Sequence, residues 1–504
     1  MPVTIDVHCH LLHADAVELD SFVTAYLRGV PVLGRMPPRV AEVLKALLRL
    51  LTVRDSPPAA PDVQPGQGSK QLAALVRALG ADSATAGRLP RWWLRRLASA
   101  LDHGLPRWLL IRLARRVFGD YMDFDQIFLN FTPVFTDRQS EIVGEFLRTH
   151  EGRHTDLCVP LMTDYENWLG GDPLWLAWMT SDAYPQSRVD YNKQLIREHK
   201  GRLHFFAPFC PLRAAAIAKG YDTLGSVDDT VGLVKHDGFL GVKLYPPMGY
   251  YPAQNAAKSR AALPVLPEWQ GLGLAWADID AALDSLYAAC AAADIPITAH
   301  CSPEGARGPY GSAPDDYSLG NHAHPDHWRP VLDAHPTLRL NLAHTNGSRF
   351  QYLPDAEKLT ERDWAWRIAE LMAGFPNVYS DRSCVIPPLE SVPDLYPRFV
   401  QRHAEFLRMN PQVPSRLMWG SDWHLVLMYA GQSAEARGRF VRIFGRPEFS
   451  GFPDLVPDFL GDNAARFLGL SAKCPGANRA RLERFHTNEL KLTAEEFPVW
   501  WCKA

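Results

Sequence analysis

The sequence has no apolar run approaching the ~20 residues that a membrane-spanning helix needs. Its opening residues, MPVTIDVHCH, have neither the basic start nor the apolar stretch of a secretory leader, so a cytoplasmic location and no integral membrane segment are expected. Cysteine is sparse, with 8 in 504 residues. Cys9, Cys158, Cys210, Cys301 and Cys384 fall in strand-like segments, which reads as free thiols in a reducing compartment and not as a disulfide framework. Neither sign of charge dominates: 53 basic residues face 56 acidic ones, for a net charge of −3, which gives no electrostatic case for nucleic acid. Compositional extremes are absent too. With 47% hydrophobic and 22% charged residues, wholesale disorder and collagen-like repeats are excluded.

What is present is a repeated unit of a short β-rich run, a polar turn and a helical stretch. Length alone suggests about three domains at roughly 150 residues each. The repeat suggests otherwise. Eight β-rich runs stand out: Val3–Cys9, Thr155–Met162, Leu203–Phe209, Phe239–Tyr245, Ile295–His300, Leu338–His344, Asn377–Asp381 and Leu417–Ser421. Most are apolar throughout, as strands buried on both faces should be. Helical patterns alternate with them, at Arg138–Thr149, Ser187–His199, Asp278–Ala292, His327–His335, Asp363–Ala373 and Tyr396–Met409. Strands alternating with helices imply parallel βαβ units, and eight units imply an α/β fold closed as a (β/α)8 TIM barrel. An open doubly wound sheet is the alternative, but no glycine-rich phosphate turn follows the first run.

The first repeat is unusual. About 145 residues separate strand one from strand two, far more than an ordinary connection. A Pro/Gly/Gln linker, SPPAAPDVQPGQGS, occupies 56–69. Then Leu89-Pro90-Arg91-Trp92 recurs sixteen residues later as Leu105-Pro106-Arg107-Trp108, each copy placing proline where a helix starts. From Arg88 to Arg116 there are eight arginines and one aspartate. The expectation is a helical insertion over 30–118 within a catalytic domain of 1–470. Its arginines would sit in water over an apolar face. A lid, an oligomer contact or a membrane-surface helix are the other readings, and a homo-oligomer stays open. Residues 471–504 read as a polar tail with aromatic residues at its end and no assignable chemistry.

Asp6-Val7-His8-Cys9-His10 carries the first chemical signal. Alternate side chains of a strand share a face, so His8 and His10 point together as half of a metal site. Among 18 histidines the pair is weak alone, and a second pair exists in His322-Ala323-His324, with His327 nearby. That second pair lies in a loop and reads as solvated or substrate-loop histidines. Position strengthens the first. His300 ends strand five, His344 ends strand six and Asp422 closes strand eight. The carboxyl ends of barrel strands converge at one mouth, where barrel enzymes do their chemistry. Imidazoles and a carboxylate gathered there are costly to bury unless a cation organises them, so a metal site is expected. Lys243, near the end of strand four, could be carboxylated to bridge two metals, bind a substrate carboxylate or carbonyl as a cation, or pair with a neighbouring acid.

On these residues the chain resembles the amidohydrolase superfamily, within it the amidohydrolase-related branch that includes aminocarboxymuconate-semialdehyde decarboxylase and the resorcylate decarboxylases. The matching motifs are DVHCH at 6–10, GVKLYP at 241–246, TAHCS at 298–302, LNLAHTNGS at 340–348, LMWGSDWH at 417–424 and GDNAARFLGL at 461–470. The resemblance covers about 1–12 and 120–470. It implies that His8, His10, His300 and Asp422 bind a single divalent metal, usually zinc. His344 would act on substrate or orient water, and a second metal would need His344 and a carboxylated Lys243. The branch often has proline soon after the last aspartate, where this chain reads Asp422-Trp423-His424.

The resemblance implies metal-assisted hydrolysis of an amide, lactone or ester, with Asp422 moving the proton and His344 or Lys243 helping to stabilise the oxyanion. Non-oxidative decarboxylation of a small carboxylic acid, aromatic acids included, would use the same ligands. A catalytically silent binding protein is the third reading. The partner expected is a small molecule. Trp168, Trp175, Trp178, Met248, Tyr250, Tyr251, Glu304, Arg307 and Tyr310 lie in mouth loops, where they suit an aromatic ligand or simply pack those loops.

Overall fold

The computed structural model describes residues 3–11, 142–144, 146–147, 155–164, 168, 177–180, 186–259, 261–303, 305, 307–308, 310–312, 316–345, 363–385, 387–388, 390–391, 395–423 and 433–504, with backbone alone at 433–435. The 30–118 insertion lies outside the described residues, as does most of the expected helix 138–149.

Eight parallel strands form the centre: β1 Ile5–Cys9, β2 Leu157–Pro160, β3 Phe206–Pro208, β4 Gly241–Leu244, β5 Ile297–His300, β6 Leu340–Ala343, β7 Val378–Asp381 and β8 Leu417–Met418. Each lies inside a run that the sequence marks as β-rich. The runs overshoot at one end or both because buried residues continue past the ladder hydrogen bonds. β1 and β2 form one ladder and β3 to β8 another, in chain order. Individual hydrogen bonds join the two ladders at both seams. His204 N donates to Cys158 O at 3.2 Å and Met162 N to Phe206 O at 3.3 Å. On the other side Val7 N donates to Trp419 O at 3.3 Å, and Asp422 N to His8 O at 2.8 Å. The fold is a (β/α)8 barrel.

Helices return the chain between strands. α1 Arg188–Glu198 starts at Ser187, whose side chain accepts from Asp190 N. α2 Pro211–Ala218 starts on a proline, which loses no helical hydrogen bond there. α3 Val227–His236 opens with a capping box between Ser226 and Asp229. α4 Trp276–Ala292, α5 Arg329–Ala334, α6 Trp364–Gly374, α7 Leu395–Met409 and α8 Ser433–Phe444 follow β4 to β8 in turn. The helix expected over His327–His335 begins as a 3₁₀ turn, Pro325–Trp328, because Pro325 and Pro330 restrict how the turn can start.

The chain after β8 closes the far end of the barrel. α9 Asn463–Leu468 packs against β1 and β8, and α10 Ala477–Asn488 lies against α3. Asn478 Nδ2 donates to Leu240 O at 2.7 Å and Leu468 O at 2.9 Å. Residues 471–504, which look polar in sequence, are therefore folded onto the barrel. In α11, Trp500–Lys503, the Trp500 ring is fully buried and its Nε1 donates to Gly201 O at 2.7 Å. All eight cysteines are free thiols. No helix among the described residues is long and apolar enough to cross a membrane.

Candidate metal centre

The mouth of the barrel gathers side chains from strands far apart in sequence. His8 Nε2 lies 3.3 Å from His10 Nε2 and 3.7 Å from Asp422 Oδ1. His10 Nε2 lies 3.3 Å from the same Asp422 oxygen. His8 and Asp422 are completely buried, and His10 is nearly so. Close approach of β8 depends on Gly420, where a Cβ would sit 2.6 Å from the His8 Cβ. Asp6 Oδ1 accepts from Ser421 N at 2.9 Å and ties the start of the site to the same strand.

The hydrogen bonds fix what these atoms offer. His10 Nδ1 is 3.0 Å from the Leu161 carbonyl, so it carries the proton and donates. His8 Nδ1 donates in the same way toward Asp381 Oδ2 at 3.0 Å. Both Nε2 atoms are left with lone pairs, aimed at each other and at a carboxylate oxygen. Neither oxygen of Asp422 accepts a hydrogen bond from nitrogen or hydroxyl among the described residues. Three lone-pair donors facing one another in a buried space repel unless a cation lies between them. The donor set therefore fits a divalent metal, with imidazole and carboxylate ligands typical of zinc.

A second group surrounds His344. Its Nδ1 is 2.8 Å from Ser383 Oγ, its Nε2 3.0 Å from His300 Nδ1, and its backbone N–H donates to Asp381 Oδ1 at 3.1 Å. His8, His344 and Asp381 form one compact donor cluster, and His8, His10 and Asp422 another. His300 belongs to neither cluster; its Nδ1 meets His344 Nε2, and its ring lies 4.7 Å from that of Tyr245. Lys243 is buried and its Nζ has no hydrogen-bond partner among the described residues.

Burial governs protonation here. It pushes His10 and His344 well below the usual imidazole range, with His8 adding to the effect, so both are neutral. It raises the Asp422 carboxyl against the pull of His8 and Lys243. Burial opposes charge on Asp381 as well, but His8, His344 and Ser383 together hold that carboxyl well below its ordinary value. Burial also lowers Lys243 to about 8, against the attraction of Asp381 and Asp422. The backbone is strained at the same rim. His344, Cys384 and Asp422 have φ of +75°, +58° and +49°. Left-handed non-glycine residues cost about 1–3 kcal/mol each and gather at functional sites.

Asp381 and Ser383 were not singled out in the sequence. Asp381 ends strand seven, and the strand-end rule that finds His300 and His344 would have found it too. The loop histidines prove to be internal braces. His324 and His327 are buried, not solvated. His324 Nδ1 caps Asp326 N at 3.2 Å, and His327 bonds Lys258 Nζ and two backbone carbonyls. His322 is held by Ser312 Oγ at 2.7 Å. Trp168, Trp178, Met248 and Tyr250 are buried, so they pack the mouth loops. Arg307 is likewise a loop brace, bonded to the Ser312 and Pro303 carbonyls. Trp175, Glu304 and His424 lie outside the described residues.

A model of the amidohydrolase family matches residues 195–470, more than half of the chain. The chain belongs to the amidohydrolase family. That family is one of metal-dependent enzymes, in agreement with the donor set at the mouth. Among solved structures it is similar to a Lactobacillus casei protein described as a metal-dependent hydrolase, at 14% identity over 93% of this chain and 95% of that one, TM-score 0.40. It is also similar to a zinc-bound Burkholderia multivorans amidohydrolase, at 15% identity over 64% and 87%, TM-score 0.37. A dihydroorotase of Campylobacter jejuni matches at 14% identity over 66% and 81%, TM-score 0.34. No curated protein matches the chain.

Proposed function

We propose that this amidohydrolase-family protein is a hydrolase that cleaves an amide, lactone or ester bond of a small molecule. The observation that carries the reading is the convergence of His8 Nε2, His10 Nε2 and Asp422 Oδ1 in a buried space. His8, His10, His300 and Asp422 would hold one divalent cation, with zinc the expected ion. Such a cation supplies Lewis acidity, drawing the pKa of water toward about 7 and polarising a carbonyl.

The side chains divide the remaining work. Asp422 Oδ1 faces His8 and His10, while Oδ2 lies 3.9 Å from His344 Nδ1. Oδ2 is thus the atom placed to take a proton from attacking water and pass it to the leaving group. Lys243, largely cationic at neutral pH, offers Nζ to the substrate carbonyl or a substrate carboxylate. Stabilising the developing oxyanion falls to Lys243 Nζ, which has no hydrogen-bond partner among the described residues. Both ring nitrogens of His344 are already engaged, to Ser383 and His300, which favours one metal over two. In this reading 1–470 is the catalytic unit, interrupted by the 30–118 insertion.

The test is metal analysis of the purified protein combined with product masses from a mixed panel of amides, lactones, esters and aromatic acids. At least one transition metal per chain and products heavier by one water are expected. Full activity without metal overturns the metal reading, and loss of carbon dioxide replaces hydrolysis with decarboxylation.

A further inference from the structure

Ser383 follows β7 by two residues and is fully buried. Its single hydroxyl meets three groups. Oγ lies 2.8 Å from His344 Nδ1, 3.1 Å from His8 Nδ1 and within hydrogen-bond reach of Asp381 Oδ1. A hydroxyl has one hydrogen to give and two lone pairs to receive with. Asp381 is an ionised carboxylate and only accepts, so the Ser383 hydrogen goes to Oδ1. Both histidines must then present N–H to Ser383 Oγ.

We propose that Ser383 is a positioning residue that locks His8 and His344 together in the Nδ1–H tautomer. Ser383 Oγ thereby sets the lone pair that His344 Nε2 turns toward His300 and joins Asp381 in setting the one that His8 Nε2 turns toward His10. Asp381 shares the task at His8, where its Oδ2 is 3.0 Å from Nδ1. At His344 Nδ1, Ser383 is the nearest acceptor among the described residues, since Asp422 Oδ2 is 3.9 Å away. The effect on His8 rests on the metal reading above. The effect on His344 does not.

Ser380 supplies the control. It is a buried serine within β7, but its hydroxyl serves Thr345 Oγ1 and the Leu342 carbonyl and bonds no histidine among the described residues. Full-length protein, as purified and labelled with ¹⁵N-histidine, is compared with Ser383→Ala, Ser383→Cys and Ser380→Ala by ring-nitrogen NMR and by zinc competition against a chromophoric chelator. Ser383→Ala should displace two Nδ1–H signals and weaken zinc at least tenfold, the scale of removing a group that orients a ligand. Ser383→Cys, which keeps the volume and weakens the acceptor, should give the same displacement to a smaller extent. Ser380→Ala should leave the signals and the affinity unchanged. Unaltered Nδ1–H signals in both Ser383 variants overturn the proposal. Displaced signals in a protein that never holds zinc sustain the role of Ser383 at His344 and remove the metal reading instead.

Discussion

The Asp381 carboxylate lies 3.0 Å from His8 Nδ1, and both side chains are wholly buried. The residues are 373 positions apart in the chain. A carboxylate behind an imidazole fixes the ring and raises the basicity of the opposite nitrogen. Replacing Asp381 with Asn keeps the shape and removes the charge. Zinc affinity should fall roughly 10–100-fold by chelator competition. An unchanged affinity would show that His8 does not depend on this contact.

Asp422→Asn should lower kcat by about 10²–10⁴-fold at saturating metal, the usual weight of a positioned proton carrier. The circular dichroism spectrum should not change. Turnover close to that of the parent would place the proton transfer elsewhere.

His204 and His486 predict acid lability at the closed end of the barrel. His204 Nδ1 donates to Gly238 O at 2.7 Å, and the two Nε2 atoms lie 3.4 Å apart. Burial lowers His204 to about 3, with His486 adding to the effect, and lowers His486 to about 4. The unfolded chain therefore takes up these protons first as pH falls through about 6.5. The stability they contribute is complete above that pH and is lost as pH falls toward about 4 for His486 and about 3 for His204. Between pH 7 and 4.5 the Tm of the parent should fall more steeply than that of His486→Leu. Parallel curves would remove the pair as a cause.

Trp500→Ala should cost about 3–5 kcal/mol, the range for truncating a buried aromatic side chain. Its ring is fully buried and its Nε1 bonds Gly201 O. A urea titration measures the loss. Activity per folded molecule should stay the same, because Gly201 precedes β3 at the end of the barrel opposite the mouth. A stability loss under 1 kcal/mol would mean that residues 471–504 are dispensable to the core.

Much of the centre was legible because strand ends are legible. His8, His10, His300, His344 and Asp422 each close or end a β-rich run, and the barrel carries all such ends to one mouth. Asp381 ends β7 by the same rule, in the run Asn377–Asp381, and was open to the same reading. Ser383 offers no pattern at all, since a serine two residues past a strand is ordinary loop composition. Of the two readings of the loop histidines, the solvated one fails at His324 and His327 for a related reason. A polar loop sequence does not reveal which side chains its backbone carbonyls will satisfy.

The sequence by itself determined the order of strands and helices, the barrel and the families of residues at its mouth. These follow from local periodicity and from the convergence that parallel strands impose. The tertiary structure decided which nitrogen of each histidine carries the proton, how the two oxygens of Asp422 are divided, and that residues 471–504 seal the far end. Those facts depend on partners such as Leu161, Asp381, Ser383 and Gly201, which lie far along the chain from the groups they hold. No local pattern encodes contacts that exist only once the barrel has closed.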